Sequence, residues 1–361
     1  MSGVVLYADN GIPCPFCLAK DSVAAEDLLC AACGERAPVE YLRHQDRLVL
    51  TAIQACGWPG HGKSSFLAAL TLVLTRMGMV WPGCFYSALT EHSQRKLREL
   101  NTCLRIGGLP PATGAAGEAV LLRLEHAGPW GSRLIVYRDG PGEVFDRFEV
   151  DVDELPLLHR TPAPFLLLSP NDLQGVAAGR SMEMLMGSLV SALGRAGIDP
   201  ELGRRCAVVV LTKADAVAGL PAFVRSYLTA DRLWTAVSRA GNGAPGTAQS
   251  SRSEPLELPG TVAYREQMVG VSEALRAWIE NDPAGRNLVR TADDFGIALR
   301  FSAVSATGSQ AAENGYLTAP WHPRRVIDPL LWALELEPRC RIAPDQGFEP
   351  SFGRRGVRLE P

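Results

Sequence analysis

The sequence predicts an α/β fold in which helices cover both faces of a mostly parallel β-sheet. Short apolar runs, which are typical of strands, alternate along the chain with longer segments of helical periodicity. The run from Cys206 to Leu211 is unbroken and valine-rich, as expected of a strand buried on both faces. The apolar run 48–55 leads directly into a glycine-rich loop and then into a helical segment. Ligands of such sheets bind at the carboxyl ends of strands, so these ends are where functional residues are expected.

Composition limits the classes of function that fit. The 361 residues are 47% hydrophobic with a formal net charge of −3, and the mean hydropathy is +0.03. Such balance argues against nucleic acid or a charged membrane surface as a general partner. The first ten residues lack a basic region with a long apolar core, and no apolar run is long enough to cross a bilayer. We therefore expect a cytoplasmic protein without a membrane span.

Four cysteines near the N-terminus are spaced as metal ligands. Two C-x-x-C turns, with twelve residues between them, place four thiolates as Zn²⁺ requires; they are Cys14, Cys17, Cys30 and Cys33. A redox function is less favoured because neither pair lies in a βαβ context. The spacing predicts a zinc ribbon over 1–45 that folds on metal binding. The remaining cysteines are expected to be small core residues; they are Cys56, Cys84, Cys103, Cys206 and Cys340.

The rest of the chain is expected to form one nucleotide-binding domain over 46–337. Periodicity predicts helices over 65–79, 91–104, 180–196, 266–280 and 325–337, and strands over 119–125, 132–137, 165–169, 206–211 and 296–301. A stretch poor in bulky apolar residues predicts a flexible insertion near 241–256, and the Pro/Gly/Arg-rich segment 338–361 predicts an irregular tail. The methionine-rich stripe of the 180–196 helix is interpreted as core packing.

Residues 57–64 (Gly-Trp-Pro-Gly-His-Gly-Lys-Ser) fit the phosphate-binding pattern G-x-x-x-x-G-K-[ST]. The glycines let backbone N–H groups turn toward the α- and β-phosphates, and the following helix N-terminus favours an anion. Lys63 can reach the β- and γ-oxygens, and the Ser64 hydroxyl can ligate Mg²⁺. The residues expected to contact the phosphates and their metal ion are Gly57, Gly60, His61, Gly62, Lys63, Ser64 and Ser65.

A second phosphate-side element follows the predicted strand 132–137. Asp139 stands at its tip, where it would hold Mg²⁺ through water, and Gly142 would offer its N–H to the γ-phosphate. The pattern of an aspartate followed by x-x-Gly is common in proteins by itself. Here it follows a phosphate-binding loop (P-loop), which favours a function in nucleotide binding over a plain turn. Glu143 comes next and is a candidate base.

A third element indicates the nucleobase. In Thr212-Lys213-Ala214-Asp215, the carboxylate can accept both the N1–H and the 2-amino N–H of guanine, a pair that adenine lacks. The stem of Lys213 can lie along the base. Ser302 and Ala303, with the following valine, would then offer backbone contact to guanine O6.

This ordered set resembles the G1, G3, G4 and G5 boxes of translation-factor-related (Ras-like) GTPases. The resemblance implies a P-loop NTPase three-layer sandwich that binds GTP or GDP with Mg²⁺, and it implies catalysis by Lys63, Gly142 and Glu143. With its zinc ribbon, the chain is similar to bacterial double-GTPase proteins of conflict and signalling systems. That narrower resemblance implies two partners, a second GTPase and a GTPase-activating protein.

The sequence departs from the family pattern at several positions. Thr212 replaces the usual asparagine, Glu143 replaces a glutamine that orients water, and Trp58 and Pro59 are expected to crowd the phosphate loop. The switch I threonine, a further Mg²⁺ ligand, is assigned to Thr113 in preference to Thr90 and Thr102. Arg105, Arg138 and Arg147 are local candidates for a catalytic arginine, although a partner could supply it and a solvated surface residue is the more expected outcome for each.

Other functions stay open at this point. The chain could be a catalytically slow GTP-binding scaffold that recruits partners through its zinc ribbon, which phosphate release would test. An RNA-associated GTPase is less favoured because the chain lacks basic patches, and an ATPase is less favoured because of Asp215.

Overall fold

The structure is a computed structural model of the chain. It describes residues 12–19, 22–24, 26–45, 47–111, 119–140, 142, 161, 163–173, 182–195, 205–242, 260–312 and 314–336. Its strands are β1 (Val49–Cys56), β2 (Phe85–Ala88), β3 (Ala119–Glu125), β4 (Arg133–Asp139), β5 (Phe165–Leu168), β6 (Arg205–Leu211) and β7 (Ile297–Ala303).

The helices alternate with these strands through most of the chain. They are α1 (Val39–Leu42), α2 (Lys63–Leu74), α3 (Glu91–Arg105), α4 (Pro170–Leu173), α5 (Met182–Arg195), α6 (Ala222–Thr229), α7 (Arg232–Asn242), α8 (Thr261–Ile279), α9 (Pro283–Asp294) and α10 (Asp328–Leu336).

Within the described residues the strands form one mixed, mostly parallel sheet in the order β2-β3-β4-β1-β5-β6-β7. β1 pairs in parallel with β4 and β5, and the parallel pairing continues through β6 to β7. β3 runs antiparallel to both β2 and β4. The carboxyl ends of five neighbouring strands therefore meet at one edge of the sheet, where a ligand site is expected.

Helices pack on both faces, which makes the fold an α/β three-layer sandwich as predicted. Alternate residues of the valine-rich β6 belong to two different core clusters: Val208 and Val210 pack on the face of α2, α3 and α10. Ala207, Val209 and Leu211 pack on the face of α5, α6 and α9. The period-two alternation of a strand accounts for this division.

Most predicted elements are present, with shifted ends. β3 has the predicted bounds, whereas α2 begins at Lys63 and ends at Leu74, before a separate 3₁₀ turn at Met77–Met79. α8 begins five residues before the predicted helix 266–280. α10 begins at Asp328 because Arg325 has a left-handed φ of 56°, which a helix cannot include.

Several elements were not predicted, namely β2, α1, α4, α6, α7 and α9. α7 ends at Asn242, so the first two residues of the predicted insertion 241–256 are helical. The remainder of that insertion and the predicted tail 338–361 lie outside the described residues. Met182 and Met186 of α5 are fully buried, so the methionine-rich stripe packs in the core.

Candidate functional site

The loop 57–64 joins the end of β1 to the start of α2, as the phosphate-loop interpretation requires. Gly62 is the N-cap of α2 and has a φ of 79°, a conformation that favours glycine. Gly62 has no side chain with which to cap α2, and no acidic residue occupies the first turn. Because the first N–H groups of a helix have no intrahelical acceptor, this end of α2 suits an anionic ligand.

Lys63 and Ser64, the first residues of α2, are held close to β1 and β4. The Lys63 ammonium donates to the carbonyl oxygens of Gly57 at 2.8 Å and Trp58 at 3.2 Å. The Ser64 hydroxyl donates to Asp139 Oδ2 at 2.8 Å. The structure therefore brings Asp139 next to the predicted phosphate-side pair Lys63 and Ser64, although Asp139 follows Ser64 by 75 positions in the sequence.

Ser64 and Asp139 could together hold a magnesium ion, with the Ser64 hydroxyl as a ligand and Asp139 acting through a water ligand as predicted. The hydrogen bond between the two side chains is 2.8 Å long, and Asp139 is only 4% exposed. A hydroxyl and a carboxylate are also the hard oxygen donors that this ion prefers.

His61 and Trp58 do not face the ligand side of the loop. The His61 ring bonds to the Leu167 carbonyl and to Asp172, and the Trp58 ring is fully buried in the core cluster on the α5 face. The ring of His61 is therefore engaged away from the cavity, and the predicted contact of this residue with a phosphate, which its backbone would have to make, stays a prediction. The expectation that Trp58 crowds the site is wrong, because the indole belongs to the core.

A cavity of about 640 Å³ opens at the carboxyl edge of the sheet. Phosphate-loop residues line one part of it, and residues that follow β6 and β7 line another; they are Pro59, Gly60, Gly62, Lys63, Ser64, Ser65, Thr212, Lys213, Asp215 and Val304. β6 is two strand positions from β1, which is about 10 Å at ~4.8 Å per strand. The phosphate-loop part of the cavity and the part after β6 are thus about 10 Å apart, so one ligand would have to be extended to reach both.

The segment after β6 is fixed to both of its neighbours. Thr212 donates to the Leu168 carbonyl from its backbone N–H and from its hydroxyl, each at 2.8 Å. Ala214 N–H donates to the Val304 carbonyl, and Lys213 has a left-handed φ of 51°. Asp215 is exposed at the cavity, so its carboxylate is available to a polar ligand edge.

Ser302 and Ala303 lie inside β7 and do not line the cavity. Both are buried, at 2% and 1% exposure, and the lining begins at Val304. If the end of β7 contacts a ligand, Val304 and the residues after it make that contact. The predicted backbone contact of Ser302 and Ala303 with a ligand therefore stays a prediction.

Gly142 packs closely against the phosphate loop. A Cβ on Gly142 would overlap the backbone nitrogen of Pro59, so glycine is required by this approach. Gly142 and Pro59 both line the cavity. Glu143 and Thr113 lie outside the described residues, so their functions stay predictions.

The alternatives for the switch threonine have other contacts. Thr90 is the N-cap of α3 and accepts from Ser93 N at 3.0 Å, and the Thr102 hydroxyl donates to the Arg98 carbonyl.

Of the arginine candidates, Arg105 is exposed at the end of α3, and Arg147 lies outside the described residues. Arg138 is half-buried and belongs to the face of β4 opposite Asp139.

Sequence reasoning missed cavity residues that follow strand ends without a recognisable motif. Ser169 and Pro170 follow β5, and Thr307 and Gln310 belong to the loop after β7. That loop reaches back to the segment after α3, where Gly108 and Tyr316 form an antiparallel bridge. The rule that ligands bind beyond the carboxyl ends of parallel strands could have indicated Ser169.

The four N-terminal cysteines converge. Their sulfur atoms all lie within 4.8 Å of one another, with Cys14–Cys33 at 3.6 Å and Cys17–Cys30 at 3.7 Å. Zinc–sulfur bonds of about 2.3 Å in a tetrahedron place the sulfurs about 3.8 Å apart. The hydrogen bond between Cys14 and Cys17 lowers the pKa of the Cys17 thiol and raises that of Cys14, as expected of thiols held close together. This cluster could hold a zinc ion.

The cysteine segment docks on the sheet. Cys14, Cys17 and Cys30 share a core cluster with Leu134 of β4, against which Leu48 and Leu50 also pack. Phe16 and Leu18 pack against a second cluster, formed by Ala119, Leu121 and Val136. The segment therefore covers the outer face of β3, β4 and β1, opposite α2 and α3.

Comparisons with known proteins give limited information. No protein-family model matches the sequence, and no curated protein matches it either. Among solved structures, the chain is similar to the signal recognition particle receptor SRβ–GTP/SRX complex from Chaetomium thermophilum, with 11% identity, a TM-score of 0.32, and coverage of 73% of this chain and 93% of that one. It is also similar to the Saccharomyces cerevisiae Ski7 GTPase-like domain bound to GDP and inorganic phosphate, with 10% identity, a TM-score of 0.34, and coverage of 82% and 52%. Similarities at this level carry no argument about function.

None of the helices in the described part of the chain is long and apolar enough to cross a membrane.

Proposed function

We propose that the chain is a guanine-nucleotide-binding switch that hydrolyses GTP to GDP. The observation that carries this proposal is the single cavity that combines Lys63 and Ser64 at one part with Thr212, Lys213 and Asp215 at another. An anionic ligand end fits the α2 N-terminus and the Lys63 ammonium. A planar ligand end with two adjacent N–H donors fits the exposed Asp215 carboxylate.

In this proposal the phosphate side acts by positioning and electrostatics. Lys63 stabilises negative charge on the phosphate oxygens, and the N–H groups at the start of α2 orient them. Ser64 and Asp139 hold Mg²⁺, which supplies positive charge against the β- and γ-phosphates. Gly142, held against Pro59, places its N–H near the cavity, and Glu143 orients or activates water.

The nucleobase side provides specificity. Asp215 accepts both guanine N–H groups, the stem of Lys213 covers the base, and the backbone from Val304 onward faces O6. Thr212 supports this segment through its two bonds to Leu168 rather than through the side-chain amide of the family's usual asparagine. Adenine would leave the Asp215 carboxylate without its paired donors.

The finer parts of the proposal rest on the sequence resemblance. They are a GTP-dependent ordering of the loops around Thr113 and 139–143, a cytoplasmic signalling or conflict function in bacteria, and two partners, a second GTPase and a GTPase-activating protein. The four cysteines are proposed to hold structural Zn²⁺. The alternative is a slow GTP-binding scaffold; against it, several apolar residues of the cysteine segment, among them Phe16 and Leu18, pack on the sheet.

The test is nucleotide binding by the purified chain with Mg²⁺, comparing GTP, GDP and ATP, followed by phosphate release. We expect GTP and GDP to bind better than ATP, and Asp215→Ala to lower the preference for GTP at least about a hundredfold. Asp294→Ala, an exposed acid that pairs with Arg290 on α9, is the matched control and should change nothing. ATP binding equal to GTP binding would contradict the proposal, whereas GTP binding without phosphate release would favour the scaffold.

A further inference from the structure

The His61 side chain joins the phosphate loop to the segment that follows β5. Its Nδ1 lies 2.8 Å from the Leu167 carbonyl oxygen. A carbonyl can only accept, so Nδ1 is the donor. Its Nε2 lies 3.3 Å from Asp172 Oδ2, which is an ion pair when the imidazole is protonated. The His61 ring therefore connects the loop to the end of β5 and to α4.

These contacts are buried from water. His61 is 5% exposed and Asp172 is 2% exposed. A buried polar group that loses its partner destabilises the structure around it, and a charged group does so more strongly, so removal of either side chain should affect the position of the other. The connection is thus part of what fixes the loop, rather than a surface contact that solvent can replace.

Asp172 extends the connection to the cavity wall. The same Oδ2 atom accepts the backbone N–H of Ser169 at 2.6 Å. Ser169 and Pro170 line the cavity together with the phosphate loop. The carboxylate therefore fixes the turn after β5 and the histidine of the phosphate loop at the same time.

Two loop residues near His61, Gly57 and Trp58, pack closely around its ring. A Cβ on Gly57 would lie 3.0 Å from the Leu167 oxygen and 3.3 Å from His61 Nδ1, which is tighter than an ordinary contact. The buried Trp58 ring meets the imidazole edge to face, with centroids 5.4 Å apart. His61 is directly followed by Gly62, the N-cap of α2, so its position sets the direction of the N–H groups at the start of that helix.

We infer that His61 is a positioning residue, which acts with Asp172 to hold loop 57–64 in its phosphate-binding form. This inference rests on the proposed function and deepens it. The ring of His61 touches no phosphate itself. It holds the backbone donors and the Lys63 ammonium where the β- and γ-phosphates are bound, and it leaves the base side to Thr212–Asp215.

The experiment compares the affinities of the full-length chain for GDP and for GMP, by competition against a fluorescent GDP analogue. GDP engages the loop through its β-phosphate, whereas GMP lacks that group. His61→Ala and Asp172→Ala should weaken GDP binding at least about tenfold and GMP binding less than about twofold. His61→Asn, whose amide nitrogen can take the place of Nδ1 but which has no group in place of Nε2, should restore only part of the GDP affinity. His92→Ala, on α3 and bonded to Arg95, is the control.

The outcomes separate this inference from the proposed function. If the unmodified chain binds no guanine nucleotide, the proposed function fails and the inference falls with it. If the unmodified chain binds GDP but both alanine variants keep its affinity within twofold, or lose GDP and GMP affinity equally, the inference alone is overturned. Should the alanine variants fail to fold, Asp172→Asn decides: it keeps an acceptor for Ser169 N–H but loses the charge facing His61, and an unchanged GDP affinity overturns the inference.

Discussion

Replacing Asp328 should remove a specific part of the pH dependence of stability. Asp328 begins α10, is 3% exposed, and accepts hydroxyl hydrogen bonds from Tyr227 at 2.8 Å and Tyr264 at 2.6 Å. Burial raises the pKa of its carboxyl to about 6, from an ordinary value of 3.8. Because the folded-state pKa is raised, the group's stabilising effect is complete below pH 3.8 and is lost as the pH rises through 6.

The shift of about two pKa units corresponds to about 3 kcal/mol between the two limits, and roughly half of this falls between about pH 5 and pH 8. The free energy of unfolding of the unmodified chain should therefore fall by about 1.4 kcal/mol relative to Asp328→Asn over that interval. A constant offset from the altered tyrosine contacts is expected at every pH and does not affect the slope. Urea unfolding at several pH values measures both quantities.

A second variant tests the cause of the shift. The Tyr264 hydrogen bond lowers the pKa of Asp328, so Tyr264→Phe should raise it further and steepen the pH dependence. If the free energies of unfolding of the unmodified chain and of Asp328→Asn change in parallel from pH 5 to pH 8, Asp328 does not titrate with a raised pKa in the folded chain. The reasoning from burial would then be refuted.

Two further predictions concern the candidate sites. Gly142→Ala places a Cβ on the backbone of Pro59 and should slow GTP hydrolysis in single-turnover phosphate release while leaving the preference for guanine over adenine unchanged; an unaltered rate would contradict the close approach. Cys30→Ser should abolish stoichiometric Zn²⁺ binding by metal analysis and lower the melting temperature, because the cysteine cluster packs on Leu134. Cys103→Ser, which is partly exposed and lies outside the cluster, is the control, and retained zinc in Cys30→Ser would contradict the four-thiolate site.

The fold was predictable where hydrophobic patterns were strong. β3, β6 and α3 were located within a residue because their apolar residues follow a clear period. β2, Phe85–Ala88, was missed because it has four residues, none of them fully buried. α9 was missed because Pro283 and Gly285 are typical of a turn, whereas the Asp282 side chain caps a helix there.

The site was predictable only where a motif fixes the backbone. The loop 57–64 and Thr212–Asp215 line one cavity, as their patterns indicated. The direction of His61 could not be predicted, because its partners Leu167 and Asp172 are more than a hundred residues away in sequence. Sequence pattern places a residue in a loop, and tertiary contacts decide which way its side chain points.

The position of the cysteine segment bears on the choice between a switch and a scaffold. Phe16 and Leu18, two apolar residues of the segment, pack on β3 and β4 and are therefore not free for a recruited partner. The segment's large apolar side chains that are clearly exposed, among its described residues, are Leu29 at 43% and Val39 at 41%, which is little for a recruiting surface.

β4 connects this segment to the phosphate side of the cavity. Burial lowers the pKa of the Arg138 guanidinium, and the nearby Glu35 and Cys33 partly oppose that shift. The next residue, Asp139, faces the other way and accepts from Ser64. The cysteine segment therefore packs on the strand that carries Asp139, and this contact accounts for the apolar packing of the segment without a recruited partner. A scaffold function would have to use a different surface of the chain.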